Sequence, residues 1–268
     1  MDASQSRVGR GWTAVAAVVL LAALGTAVAA VERDAPLAAA GVVAVALATA
    51  AAPPAVPGAL DTLRAAWREH RRYVGAAAGL FGLGAVAGAL LLVAGVDLLE
   101  LVVELLDDEL VPADGGGGGV ADDTTDLGFT ARFFVVQNTP PFLFAIAGAP
   151  LTVGLLTAFV MVFNGVVVGN VGYAVGREVG FDAVAVLLVP HGVFELTALF
   201  LAAGVGFRLL HRLVERVRGS REAFVTRAYL RRTASLVGVG WLLLVLAAFV
   251  EAYATVALAE WLLAAPAV

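Results

Sequence analysis

The chain alternates long apolar blocks with short polar segments, and the blocks are long enough to predict membrane-spanning helices. A helix needs about 20 apolar residues to cross a hydrocarbon core of about 30 Å. Five spans follow directly: Thr13–Val31, Ala35–Ala52, Tyr73–Val96, Ala183–Phe207 and Thr233–Ala259. The first block is longer than the 7–15-residue core of a typical secretory signal. Because more spans follow it, we interpret it as a retained helix.

A sixth block, from Phe133 to Gly176, runs 44 residues without a charge, which corresponds to about 66 Å of helix. This is twice a membrane thickness, so the block must fold back, and Gly148-Ala149-Pro150 is the natural turn. Segments 53–73 and 208–234 are rich in Arg and are therefore expected to share the cytoplasmic side. Two segments on the same side of the membrane must be separated by an even number of spans. This condition holds only if the block from Phe133 to Gly176 forms a hairpin of two spans. We predict an all-α bundle of about seven spans, with the N-terminus inside and the C-terminus outside.

Composition supports a membrane protein and excludes several kinds of chemistry. The chain is 61% hydrophobic and 15% charged, whereas a soluble chain is about a quarter charged. It has no Cys, which excludes disulfides, thiolate metal sites and cysteine nucleophiles. Ten of the acids fall in segment 97–128, so the net charge of −5 says little about polyanionic partners. We expect no nucleic-acid partner.

Three segments that flank the spans have an amphipathic helical pattern. In Asp97–Leu110, apolar residues recur at helical spacing opposite acidic ones. Segments 60–71 and 208–217 repeat the pattern with Arg on the polar face. We interpret all three as interfacial helices on lipid headgroups, with a partner-docking surface as the alternative. Gly115–Gly119 is interpreted as a flexible external linker.

Polar side chains inside the apolar blocks form the candidate site, because an ionisable group near the bilayer centre costs roughly 2.5–3.5 kcal/mol. His191 and Glu195 lie four residues apart, so they share one helical face and can bond each other. Pro190 and Gly192 predict a break or kink beside them. The predicted cluster comprises Asn138, Asn164, Gly165, Pro190, His191, Gly192, Glu195 and Glu251.

Glycines in the second limb of the predicted hairpin suggest close helix packing. Gly165, Gly169, Gly172 and Gly176 form a stripe of small residues, which lets two helix backbones approach. Because the stripe lies in the core hairpin, we expect it to pack against another helix of the same chain.

The polar cluster has three interpretations. In the first, the cluster forms structural hydrogen bonds that hold the helices together. In the second, it lines a path for a proton, an ion or a lipid headgroup. In the third, it is a metal site. His191 and Glu195 are suitable ligands, but there is no HExxH motif and no third ligand at familiar spacing. We therefore expect no metal and no cofactor. With no GxSxG motif and no intramembrane Asp pair, we also expect no catalytic residues and no enzymatic activity.

Two strings carry a resemblance to a known family. Phe163–Gly169 (FNGVVVG) and Val189–Leu196 (VPHGVFEL) resemble the stage II sporulation protein M family, and the similarity covers roughly residues 70–260. The family's paired Asn in the first limb appears here as Gln137-Asn138. The resemblance implies an integral membrane subunit, which in spore-forming bacteria anchors cell-wall hydrolases. Relatives occur in bacteria and archaea that do not sporulate, and the acidic, Lys-free composition suits a halophilic archaeon.

The resemblance divides the chain into two parts. Residues 1–58 form an added two-helix transmembrane hairpin, and residues 59–268 form the family-like membrane domain with an acidic, Gly-rich external loop at 97–128. The preferred function is a scaffold or organising subunit for envelope-associated partners in the cell membrane. The alternative is a transporter or channel-like component that moves an ion, proton or lipid headgroup through the polar cluster. Expected partners are the lipid bilayer and proteins of the membrane or envelope, and self-association is left open.

The predicted topology is tested with two single cysteines, which have no background because the chain contains no Cys. An impermeant thiol reagent added to intact cells should label Gly117→Cys, which lies in the external loop. It should not label Gly219→Cys, which lies in a cytoplasmic segment. Labelling at both sites, or at Gly219→Cys alone, contradicts the span count.

Overall fold

The apolar blocks form a bundle of helices in the computed structural model, which describes residues 3–98, 100 and 130–264. In this part of the chain the helices are α1 (Ala3–Glu32), α2 (Pro36–Ala55), α3 (Ala59–Val93), α4 (Ala131–Leu151), α5 (Leu155–Val179), α6 (Phe181–Val217) and a C-terminal helix. The C-terminal helix consists of α7 (Arg227–Phe249), a π-helical segment (Val250–Thr255) and α8 (Val256–Ala264). Six helices are long and apolar enough to cross a membrane. The 21-residue α4 has the length of a span but is more polar, because it contains Gln137, Asn138 and three prolines. The prediction of an all-α, multi-span membrane bundle is confirmed.

The uncharged block forms the predicted hairpin, but the turn lies later than predicted. Pro150 falls inside α4, and the chain reverses only after Leu151. Val153 and Gly154 have positive φ angles of 55° and 93°, a conformation that glycine adopts without steric cost. The Thr152 hydroxyl donates to the Gly148 carbonyl and accepts from the Leu156 amide, both at 2.8 Å. These bonds join the end of α4 to the start of α5 and fix the turn.

Both Arg-rich flanking segments differ from the prediction, because they are the ends of long helices and not separate interfacial helices. α3 has 35 residues and α6 has 37, so each extends well beyond a 20-residue span. Arg208 and Arg212 were predicted to face headgroups, yet they are only 8% and 2% exposed. The third segment, Asp97–Leu110, lies outside the described residues beyond Glu100, as does the linker Gly115–Gly119.

Glycines bring the backbones of α3 and α5 into direct contact. A Cβ added to Gly165 or Gly169 of α5 would overlap the Phe81 or Ala85 carbonyl oxygen of α3. Reciprocally, a Cβ on Gly84 or Gly88 of α3 would overlap the Val162 or Val166 carbonyl oxygen of α5. The residue numbers of the contacting positions rise in the same direction along both helices, so α3 and α5 run parallel. The predicted packing within one chain is confirmed for Gly165 and Gly169, whereas a Cβ on Gly172 would meet nothing within 4 Å.

One carboxylate ties three helices together at the Arg-rich end of the bundle. Glu69 of α3 accepts from the guanidinium groups of Arg208 at 3.1 Å, Arg232 at 2.9 Å and Arg212 at 3.5 Å. The Glu69 side chain is 16% exposed, so these bonds lie largely out of water. Arg208 directs two N–H groups at one Glu69 oxygen and Arg232 directs two at the other, and such charge-assisted bonds are stronger than neutral ones. Because they join segments 53–73 and 208–234, the predicted placement of both segments at one end is confirmed.

Aromatic stacking completes the packing around these charges. The Arg212 guanidinium lies 3.8 Å from the centre of the Tyr229 ring, and its Nε donates to the Phe224 carbonyl at 2.9 Å. The ring of His70 stacks on the same tyrosine at 5.9 Å. Both His70 and Tyr229 are buried. We call Glu69 with Arg208, Arg212 and Arg232 the charged layer. It is part of the interior at this end of the bundle.

The N-terminal pair α1 and α2 packs on the C-terminal helix at the opposite end. Arg33, just after α1, donates to the Tyr253 carbonyl at 3.4 Å and pairs with Glu260. A Cβ on Gly41 of α2 would lie 3.0 Å from the Phe249 ring. These contacts hold the hairpin against the π-helical segment and the residue before it.

Replacement of one contact glycine tests the helix packing. Gly169→Ala should lower the free energy of unfolding by about 1–3 kcal/mol, because a methyl group must displace the α3 backbone. Gly172→Ala is the matched control on the same helix, since its Cβ meets open space. Thermal unfolding of the purified variants in detergent measures the difference. Equal stability of the two variants would contradict the close contact.

Removal of the central carboxylate tests the charged layer. Glu69→Gln removes the counter-charge of Arg212 and Arg232 and leaves Arg208 only Glu215, at 3.6 Å. The substitution should cost about 3 kcal/mol of stability. The exposed Glu222 supplies the control, and Glu222→Gln should change stability by less than about 0.5 kcal/mol. Chemical or thermal unfolding in detergent measures both. A Glu69→Gln protein as stable as the control would show that the layer contributes little.

Candidate functional site

Helix α6 presents His191 and Glu195 on one face, as their spacing predicts. Of the predicted break or kink at Pro190, the break is wrong, because α6 is one continuous helix from Phe181 to Val217, and the kink stays a prediction. Proline is tolerated in transmembrane helices when neighbouring helices support the turn it disturbs.

The backbone irregularity lies in the C-terminal helix. Val250–Thr255 is π-helical, and π-helical turns are rare and frequently lie at functional sites. The segment contains Glu251 and Thr255, which are four residues apart. The wider turn also rotates the residues that follow it relative to an unbroken α-helix. Glu251 itself lies within this irregular segment, which packs against α6.

Three titratable side chains from these two helices come together. One ligand atom each from His191, Glu195 and Glu251 lie within 4.8 Å of one another, and all three residues are partly buried. We call this group the triad. His191 Nδ1 lies 3.1 Å from the Thr255 hydroxyl, so a fourth side chain holds the imidazole ring. The triad joins α6 to the π-helical segment inside the bundle.

The two carboxylates of the triad have no permanent counter-charge among the described residues. None of the ion pairs among the described residues includes Glu195 or Glu251. Two negative charges within 4.8 Å repel each other by about 3.5 kcal/mol at an effective dielectric constant of about 20. The repulsion is relieved when one carboxylate or His191 takes up a proton, or when a cation binds among the three. The arrangement is suited to holding a positive charge.

The other predicted site residues have different roles. Asn164 donates to the Val160 carbonyl of its own helix at 2.8 Å, and Gly165 packs on α3. Asn138 is partly buried in α4 and is not a member of the triad. A Cβ on Gly192 would meet nothing within 4 Å, so this glycine is not required for packing. Only three of the eight predicted residues form the group.

The sequence did not predict the roles of two polar residues, Thr255 and Asn170. Thr255, which holds His191, carries no signal because threonine is common in transmembrane helices. Asn170 is fully buried; it donates to the Gly88 carbonyl at 3.0 Å and to the Val96 carbonyl at 2.9 Å. It thereby ties α5 to the chain that leaves α3. An amide inside the apolar run of α5 was the available signal for Asn170.

An apolar groove lies between α1 and α6 and is separate from the triad's polar atoms. Three cavities of about 400, 310 and 340 Å³ share lining residues and so form one groove. It extends along α1 from Trp12 to Gly25, which is about 20 Å of helix. Val250 and Ala254 of the π-helical segment line one end of it, with Pro190. We call this feature the α1–α6 groove.

The family described as Stage II sporulation protein M matches residues 77–256, a range that contains the triad and begins after α2. An uncharacterized protein of Methanocaldococcus jannaschii is 28% identical over 133 residues, which cover 48% of this chain and 73% of that protein. No solved structure matches the chain. On the extent of the family match, this multi-span helical membrane protein belongs to the stage II sporulation protein M family.

Proposed function

We propose that this protein is a transport-type component of the cell membrane, which binds a proton or another cation at the triad and passes it across the bilayer. The observation that carries the proposal is the meeting of His191, Glu195 and Glu251 within 4.8 Å, with no basic residue paired to either acid among the described ion pairs. Ionisable groups inside membrane helices typically line proton or ion pathways.

The contrast with the charged layer around Glu69 supports the same proposal. Glu69 is neutralised by three Arg, as expected for a carboxylate with a structural role. The triad instead has an excess of acids and lies beside a π-helical turn. Irregular helices with unsatisfied charge are a common design for ion sites in transporters. No nucleotide-binding motif GxxxxGK[ST] occurs in the sequence, so a gradient or a partner protein would supply the energy.

The second candidate is the scaffold function, and the α1–α6 groove favours it. The groove is about 20 Å long, which exceeds the depth of one leaflet, about 15 Å of a 30 Å core. It is lined almost entirely by apolar side chains such as Val15, Val18 and Leu243. A transmembrane helix of an envelope-associated partner fits such a surface better than a single acyl chain does.

A charge-removing substitution separates the two functions. Glu195→Gln keeps the size of the side chain and its hydrogen bonding but abolishes the negative charge. In a deletion strain, the variant should fail to restore the wild-type phenotype while its membrane abundance stays normal. Glu178→Gln is the matched control, because Glu178 is exposed near the end of α5. His191→Ala should resemble Glu195→Gln, and the double variant should add little further loss.

Full complementation by Glu195→Gln at normal abundance would overturn the transport proposal. The same result would favour the scaffold, whose apolar groove does not depend on a titratable side chain. Loss of membrane abundance in Glu195→Gln, with Glu178→Gln unaffected, would instead assign the triad a structural role and also count against transport.

A further inference from the structure

We propose that the triad is a binding site for a divalent transition-metal ion of the Zn²⁺ or Mn²⁺ type. The inference rests on the proposed cation function and names the cation. It departs from the sequence-based expectation of no metal, which followed from having only two candidate ligands at familiar spacing. The structure supplies the third ligand, Glu251, from a different helix.

The donor set fits this class of ion. An imidazole nitrogen together with carboxylate oxygens suits Zn²⁺, Mn²⁺ and Fe²⁺, whereas Mg²⁺ and Ca²⁺ prefer oxygen ligands throughout. The three donor atoms lie within 4.8 Å of one another. Ligand bonds of about 2.1 Å place tetrahedral donors about 3.4 Å apart, so closure onto an ion requires movements of about 1 Å. Rotations of the two Glu side chains are sufficient for that.

The surroundings of His191 match those of a metal-ligating histidine. Such histidines usually use one ring nitrogen for the metal and bond the other to an outer partner that fixes the ring. Here His191 Nδ1 lies 3.1 Å from the Thr255 hydroxyl. Thr255 is carried by the same π-helical segment as Glu251. One irregular turn therefore provides both a ligand and the group that orients a second ligand.

Charge balance favours a divalent ion over a monovalent one. Glu195 and Glu251 together carry two negative charges when ionised, and no described ion pair offsets them. A divalent ion neutralises both at once, whereas a monovalent ion leaves one charge uncompensated in a low-dielectric region. Three protein ligands also leave a coordination position open, which is typical of sites that exchange ligands and not of closed structural sites.

Binding of Zn²⁺ to the purified full-length protein in nanodiscs tests the inference. Equilibrium dialysis is performed with excess Mg²⁺, which occupies the oxygen-only sites offered by the ten acids of segment 97–128. We expect one Zn²⁺ per chain to be retained under these conditions. Glu195→Gln and His191→Gln should each weaken binding at least tenfold, and Thr255→Val about tenfold through the orientation of His191. The matched controls Glu178→Gln and His211→Gln alter exposed residues and should bind as the wild type does.

Several outcomes would overturn the inference. These are complete displacement of Zn²⁺ by Mg²⁺, equal affinity of the wild type, Glu195→Gln and His191→Gln, or no retained Zn²⁺ at all. Thermal unfolding of each variant, measured in parallel, shows whether it is folded. If a variant is unfolded, the wild type with and without a chelator decides, because Zn²⁺ bound to the native triad must raise the unfolding temperature.

The binding result is distinguishable from the outcome for the proposed function. Zn²⁺ binding that depends on Glu195, together with full complementation by Glu195→Gln, would support the metal site and reject transport through it. Absence of Zn²⁺ binding, together with loss of complementation in Glu195→Gln, would reject the metal site and leave proton transport as the function of the triad.

Discussion

Direct contact between the backbones of α3 and α5 is the constraint on which the rest of the bundle depends. Gly84, Gly88, Gly165 and Gly169 leave no room for a side chain between the two helices, so the two backbones pack directly against each other. Because the helices run parallel, the chain must cross the bundle once more between them, and α4 makes that crossing. In a membrane, where burial of apolar surface gives little net association, such van der Waals packing is a main source of helix affinity.

The bundle contains two polar centres that differ in charge balance. At the Arg-rich end, the Glu69 carboxylate receives bonds from three guanidinium groups, and aromatic rings pack around them. All three Arg pair with this one carboxylate, so the centre fixes α3, α6 and α7 in place. In the triad, two acids and one imidazole meet without a cationic partner on the described chain. The first arrangement stabilises one structure, whereas the second changes its energy when a proton or an ion arrives, which is the property that a transport site needs.

Sequence patterns predicted the spans, the hairpin and the common end of the Arg-rich segments because these depend on length and on loop charge. They did not predict the inward position of Arg208 and Arg212, since the same i, i+4 pattern describes an interfacial helix and only the distant Glu69 decides between them. Glu251 was predicted to join His191 and Glu195 because all three are ionisable residues inside apolar blocks, but which members of the predicted cluster meet depends on contacts between residues more than 50 positions apart. The π-helical turn has no local signal either, because Val250–Thr255 contains neither Pro nor Gly. The turn after α4 was misplaced because Pro150 is accommodated inside the last helical turn.

The π-helical segment is shared by the α1–α6 groove and the triad. Val250 and Ala254 line the groove, and their chain neighbours Glu251 and Thr255 belong to the triad and its support. Any occupant of the groove that prefers one geometry of this segment must change the affinity of the triad for the proposed cation. By linkage, the cation must then change the affinity of the groove by the same factor. When a docking surface and an ion site share one turn of helix in this way, binding of either ligand changes the affinity of the protein for the other.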